Sequence, residues 1–222
     1  MVADLVELVR RPIKALQDID ARRRLAGGLL ALALSLLLPA LVGELGALGP
    51  FRPPANLGSL PSLTAQGADI YARWTYQHRF ALPVYGMLAS LVLWLLAAGL
   101  IHVIARALGG RGDLTGYVKL LGYAALVGLV LLPVVLLDAI AKLQGNARLD
   151  VSLGQLAGLL TLAIFLWQNV LLVFAARLHY GFSTERAIAA VIGPIAAVAV
   201  LLVALFVLAI VLFVLSQQAV SV

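Results

Sequence analysis

Of the 222 residues, 63% are hydrophobic and only 12% are charged, with a mean hydropathy of +1.06; globular chains carry about 25% charged residues, so a water-soluble globular domain is excluded. The net charge of +6 fits Lys and Arg collected on the cytoplasmic side of a membrane better than nucleic-acid binding. The chain has no cysteine, which excludes disulfides, thiolate metal sites and thiol catalysis.

In chain order, residues 1–24 read as an amphipathic helix on the membrane surface. Leu5, Leu8, Val9, Ile13, Leu16 and Ile19 recur at helical spacing, with Arg10, Arg11, Lys14 and Asp18 between them. Pro12 is expected to kink or restart it. Arg10, Arg11, Lys14, Arg22, Arg23 and Arg24 are the candidate contacts to anionic lipid. This basic stretch is long for the n-region of a signal peptide, so a retained helix is expected after it.

Residues 25–222 then read as one transmembrane domain. Charged residues leave five windows: Leu25–Gly43, Phe80–Ala105, Leu120–Leu137, Val151–Ala176 and Ala187–Val222. About 20 apolar helical residues cross a hydrocarbon core about 30 Å thick, so each window is expected to span. The third is expected to extend back to Thr115, with Lys119 snorkelling to the interface. Residues 46–79 form the large loop, rich in Gly and Pro at first, then with a short helix from Ala68 carrying Tyr71, Trp74 and Tyr76 at headgroup level. Five spans put the termini on opposite faces. Ten Lys and Arg fall on the N-terminal face and five on the other, which predicts a cytoplasmic N-terminus and an extracytoplasmic C-terminus.

The order of parts in the second half carries a resemblance. Leu100-Ile101-His102-Val103-Ile104-Ala105-Arg106 is followed by Gly109-Gly110, then Tyr117, Gly122-Tyr123-Ala124 and Pro133; Arg177-Leu178-His179-Tyr180-Gly181-Phe182-Ser183 precedes Arg186-Ala187 and Pro194. With Arg11-Pro12 before the first span, the chain resembles a bacterial member of the Yip-domain family, the Ypt/Rab-interacting membrane proteins, from about Arg11 to Phe213. The resemblance implies an all-α polytopic membrane fold and a non-enzymatic role in organising the cytoplasmic membrane or docking partners or lipids. The Asp-Leu-Tyr-Gly-Pro signature of eukaryotic members is absent, so no GTPase partner is implied.

Candidate functional residues are few. His102 and Arg106 lie four apart on one helix face, and Gln168 and Asn169 lie deep in the fourth span, where each is expected to bond to a neighbouring helix. If these residues instead line a polar path, the chain is a small-solute or ion transporter or channel. Gly154 and Gly158 suggest close helix packing. Gly109-Gly110-Arg111-Gly112-Asp113 lacks the Lys-Ser/Thr of a phosphate loop and reads as a turn with Asp113 capping the next helix. Glu44 and Asp138, both at outer helix ends, are the one conceivable carboxylate pair. No nucleophile motif, catalytic set, cofactor site or metal site is expected. The expected partners are the bilayer, anionic lipid at the inner face, and a protein partner or second copy, with no nucleic acid.

Overall fold

The computed structural model describes residues 1–51 and 62–194, together with 196, 204, 206 and 207. The described residues include the α-helices α1 (Val2–Arg10), α2 (Pro12–Arg22), α3 (Leu25–Ala47), α4 (Ser62–Gln77), α5 (Ala81–Ala107), α6 (Leu114–Ala125), α7 (Leu132–Leu143) and α8 (Ala147–Tyr180). A 3-10 segment, Leu126–Leu131, joins α6 to α7, and 184–194 is again helical. Four stretches are long and apolar enough to cross a bilayer: Leu25–Ala47, Ala81–Ala107, Leu114–Leu143 and Arg148–Tyr180. These match the first four expected windows. Most of the fifth, Ala187–Val222, lies outside the described residues.

The spans turn apolar side chains outward, as a lipid solvent allows. Val103 is 64% exposed and Leu159 71%. A buried stripe that includes Ala98, Ile101 and Ala105 of α5, and Leu171, Leu172, Ala175 and Ala176 of α8, makes the core. α3 is the hub, packing along α6 and α7 and against α5. Glycine permits its closest approach: a Cβ on Gly28 would stand 2.6 Å from the Lys119 backbone, and one on Gly122 would collide with the Gly28 carbonyl. Small residues at such crossings let backbones meet where apolar transfer gives no drive for association. Around Gly154 and Gly158, expected to serve this purpose, nothing among the described residues lies within 4 Å of a Cβ built on either.

The third span is longer than its apolar window and is not one regular helix. Pro133 lacks an N–H and would crowd the carbonyl four residues back, and the chain tightens to 3-10 geometry just before it. The helix in the large loop also begins earlier than expected, at Ser62 rather than Ala68.

α1 and α2 form a bent foot that packs on one end of the bundle. The break falls at Arg11, and Pro12 opens α2, where its missing N–H costs nothing. Leu8, Leu16 and Ile19 are buried against the spans. Val9 and Ile13, expected on the same stripe, remain exposed with Val2 and Val6. The foot therefore carries two sets of apolar residues: positions 2, 6 and 9 share a face of α1 distinct from that of Leu8, and Ile13 follows just past the break, at the start of α2.

Candidate functional site

The foot end gathers the polar residues of five segments. α8 has 34 residues, about 51 Å at 1.5 Å per residue, so it overruns a hydrocarbon core and carries His179 and Tyr180 to the foot. Gly181 ends it in the left-handed conformation (φ 70°), which favours glycine. The turn from α5 to α6 is tight: Gly109 has φ 88°, and Asp113 caps α6 by accepting from the Gly116 amide at 2.9 Å. That hydrogen bond is the main reason the Asp113 carboxyl is held below its ordinary value; partial burial opposes it, and His179 and Lys119 add to it.

The turn and the end of α8 interlock. A Cβ on Gly110 would stand 2.8 Å from the Phe182 ring, and Cβ atoms on Gly112 and Gly116 would run into His179. The Arg111 amide donates to the Tyr180 carbonyl at 3.3 Å. His179 Nε2 donates to the Asp113 carbonyl at 2.8 Å, while its Nδ1 lies 3.4 Å from an Asp20 carboxylate oxygen. Tyr180 shares a hydrogen bond of 2.8 Å with His102 Nδ1 and packs against Tyr117 and Phe182. The His-Tyr-Gly-Phe segment and the glycine turn thus occur together because each is the other's packing surface.

Lys119, expected to reach toward the interface, completes the cluster, and its ammonium meets the foot. Lys119 is 8% exposed, its Nζ donates to the Asp20 carbonyl at 2.6 Å and lies 3.0 Å from the Asp20 carboxylate. The last turn of α2 supplies both acceptors, one of them a carbonyl the helix leaves unpaired. The foot is fastened again by Asp4 to Arg23 at 2.7 Å. Burial alone would raise the Asp4 carboxyl, but the hydrogen bonds from the Met1 amino group and Arg23 hold it below its ordinary value.

The residues singled out in the sequence are not brought together. His102 is bonded to Tyr180, and Arg106 donates to the Gly110 carbonyl at 3.1 Å, closing the turn. Gln168 lies 12 residues from Tyr180, about 18 Å along α8, and donates to the Ala125 carbonyl of the neighbouring helix at 3.3 Å. Asn169 differs from expectation: it donates to the Phe165 carbonyl of its own helix at 2.8 Å, because its position turns it away from α6. Among the basic residues of the foot, Arg10, Arg11, Lys14 and Arg24 are exposed, and Arg22 is weakly paired with Asp18 at 3.8 Å. Asp20 and Tyr180 are the participants that sequence reasoning missed. The one signal was Lys119, a charge just before an apolar window, in a span expected to extend back past it, that demanded a partner.

Two cavities lie at opposite ends of the molecule, and neither is lined by His102, Gln168 or Asn169. Among the described residues no three His, Asp or Glu are placed to hold a metal. What the foot-end arrangement does chemically is pin five segments together and leave guanidinium and ammonium groups outside. Comparison with curated proteins and with solved structures returned no match. A family model, that of the Yip1 domain, matches residues 6–208; the chain belongs to the Yip1 domain family and is an integral membrane protein.

Proposed function

We propose that this protein is a non-enzymatic organiser of the cytoplasmic membrane, which docks anionic lipid headgroups through the basic surface of its foot end. The observation that carries this reading is the division of charge there. Lys119 and Arg23 are consumed by Asp20 and Asp4, whereas Arg10, Arg11, Lys14, Arg24, Arg111, Arg177 and Arg186 stay exposed. Each basic residue near an anionic surface contributes about 1 kcal/mol, screened within a Debye length. The foot end then faces the cytoplasm, and the exposed set of Val2, Val6, Val9 and Ile13 meets acyl chains beside it. Yip1 family membership fits such a role and also a protein partner or a second copy on the same surface.

The transporter reading has less support, since His102, Gln168 and Asn169 each spend a hydrogen bond at a separate place and a pathway needs polar groups that share a hydrated route. The test is lipid retention by the purified protein. Wild type should keep anionic phospholipid through mild detergent extraction, with the retained amount falling as salt rises. Arg10→Gln/Arg11→Gln/Lys14→Gln should keep markedly less. Equal retention by the two proteins contradicts the docking reading, and a proton or solute flux abolished by His102→Gln replaces it with the transporter.

A further inference from the structure

At the end opposite the foot lies a cavity of about 480 Å³ between the end of α3, α4, the start of α5 and α7. This is within the range of about 300–1,000 Å³ typical of small-ligand sites. Its lining combines the apolar Val42, Leu82 and Val135 with the charged Arg79, Asp138, Lys142 and Asp150. One wall holds Arg79. Its Nε donates to the Ala47 carbonyl at 3.0 Å and one terminal nitrogen to the Tyr76 carbonyl at 2.9 Å, with the guanidinium 4.1 Å from the Tyr76 ring centre. The group is held rigidly and has N–H donors to spare. On the other wall Lys142 stands between Asp138 at 2.6 Å and Asp150 at 3.9 Å. Asp138 is 13% exposed, and its Oδ1 is buried with no hydrogen-bond partner.

A buried carboxylate oxygen without a donor costs stability, so it calls for a ligand that brings an N–H. The opposed positive wall calls for an anion on the same ligand. Val42, Leu82 and Val135 belong to α3, α5 and α7, elements of stretches long and apolar enough to cross a bilayer. We infer that the cavity seats the headgroup of a zwitterionic lipid with a primary ammonium and a phosphodiester, the ammonium on Asp138 Oδ1 and the phosphate on Arg79. A trimethylated headgroup has no N–H to give, an anionic glycerol headgroup offers a hydroxyl but no positive charge, and a serine headgroup would add a carboxylate beside Asp138. The inference is independent of the docking surface at the foot.

Lipid binding to the intact protein, followed by native mass spectrometry in mild detergent, tests it. Phosphatidylethanolamine should bind about tenfold more tightly than phosphatidylcholine, the difference of one charge-assisted hydrogen bond. Asp138→Asn should erase that preference. Ala72→Phe, which fills the cavity and leaves the Asp138–Lys142 pair in place, should abolish binding of both lipids at the site. Equal binding of the two lipids by wild type overturns the inference, as does undiminished phosphatidylethanolamine binding by Ala72→Phe. Soluble phosphoethanolamine binding as tightly as the lipid would overturn the assignment to a lipid.

Discussion

The two ends of the bundle solve the same problem in different ways. At the foot, polar groups are paired across long stretches of chain: Lys119 with Asp20, His102 with Tyr180 and His179 with Asp113 are separated by 99, 78 and 66 residues. At the far end the short ion pairs, Arg73–Asp69 and Lys142–Asp138, join residues four apart on one helix; buried oxygens without a hydrogen-bond partner occur at both ends, Tyr117 Oη at the foot and those of Glu44 and Asp138 at the far end. Long-range pairs close the fold because they exist only when the segments are assembled. Local pairs form within a helix and hold nothing else. The foot end is thus a clasp, and the far end keeps a cavity with a polar group in reserve.

The sharpest way to break this contrast is to remove one acid from each end. Asp20→Ala leaves the Lys119 ammonium buried with its carboxylate gone and should cost about 3 kcal/mol, read as a lower unfolding midpoint in detergent. Lys119→Met added to Asp20→Ala should recover most of the loss, since no charge is then left unpaired. Asp69→Ala at the far end should leave the midpoint unchanged. An equal loss from both acids would erase the distinction between clasp and surface pair.

A smaller effect comes from the helix crossing. Gly122→Leu drives a side chain into the Gly28 carbonyl and should cost about 1–3 kcal/mol. Gly158→Leu, with open space around it among the described residues, should be neutral or slightly stabilising by the same measurement, since leucine favours helix over glycine. A loss at Gly158 as large as that at Gly122 would reveal a packing partner on that face.

The smallest effect is set by pH. The Asp113 carboxyl is held below its ordinary value of 3.8, so its contribution is fully present above that pH and is lost as pH falls through the lower folded value. Asp113→Asn keeps a good cap at neutral pH and should match wild type there. Its stability should decline less steeply below about pH 4. Parallel acid profiles would show that the cap does not couple to the clasp.

The class of the protein and the positions of its first four spans were legible in composition and window length, because transfer of an apolar helix into lipid depends on local sequence alone. The same holds for the turn at Gly109-Gly110, the cap at Asp113 and the break at Pro12, where the chemistry lies within a few residues. Lys119 was legible as an anomaly, but not its partner. The sequence also offered Gln168 and Asn169 as equivalent amides, and only the rotation of α8 against α6 decided that one reaches across and the other bonds to its own helix. The stripe of the foot divided in two for the same reason: which apolar side meets the bundle depends on where the spans stand. The far cavity was not legible at all, since Arg79, in the turn between α4 and α5, and Asp138, on α7, come to line one cavity only after packing. Sequence alone determined what goes into the membrane, through solvation; tertiary structure decided which polar groups meet there, through directions that no local propensity encodes.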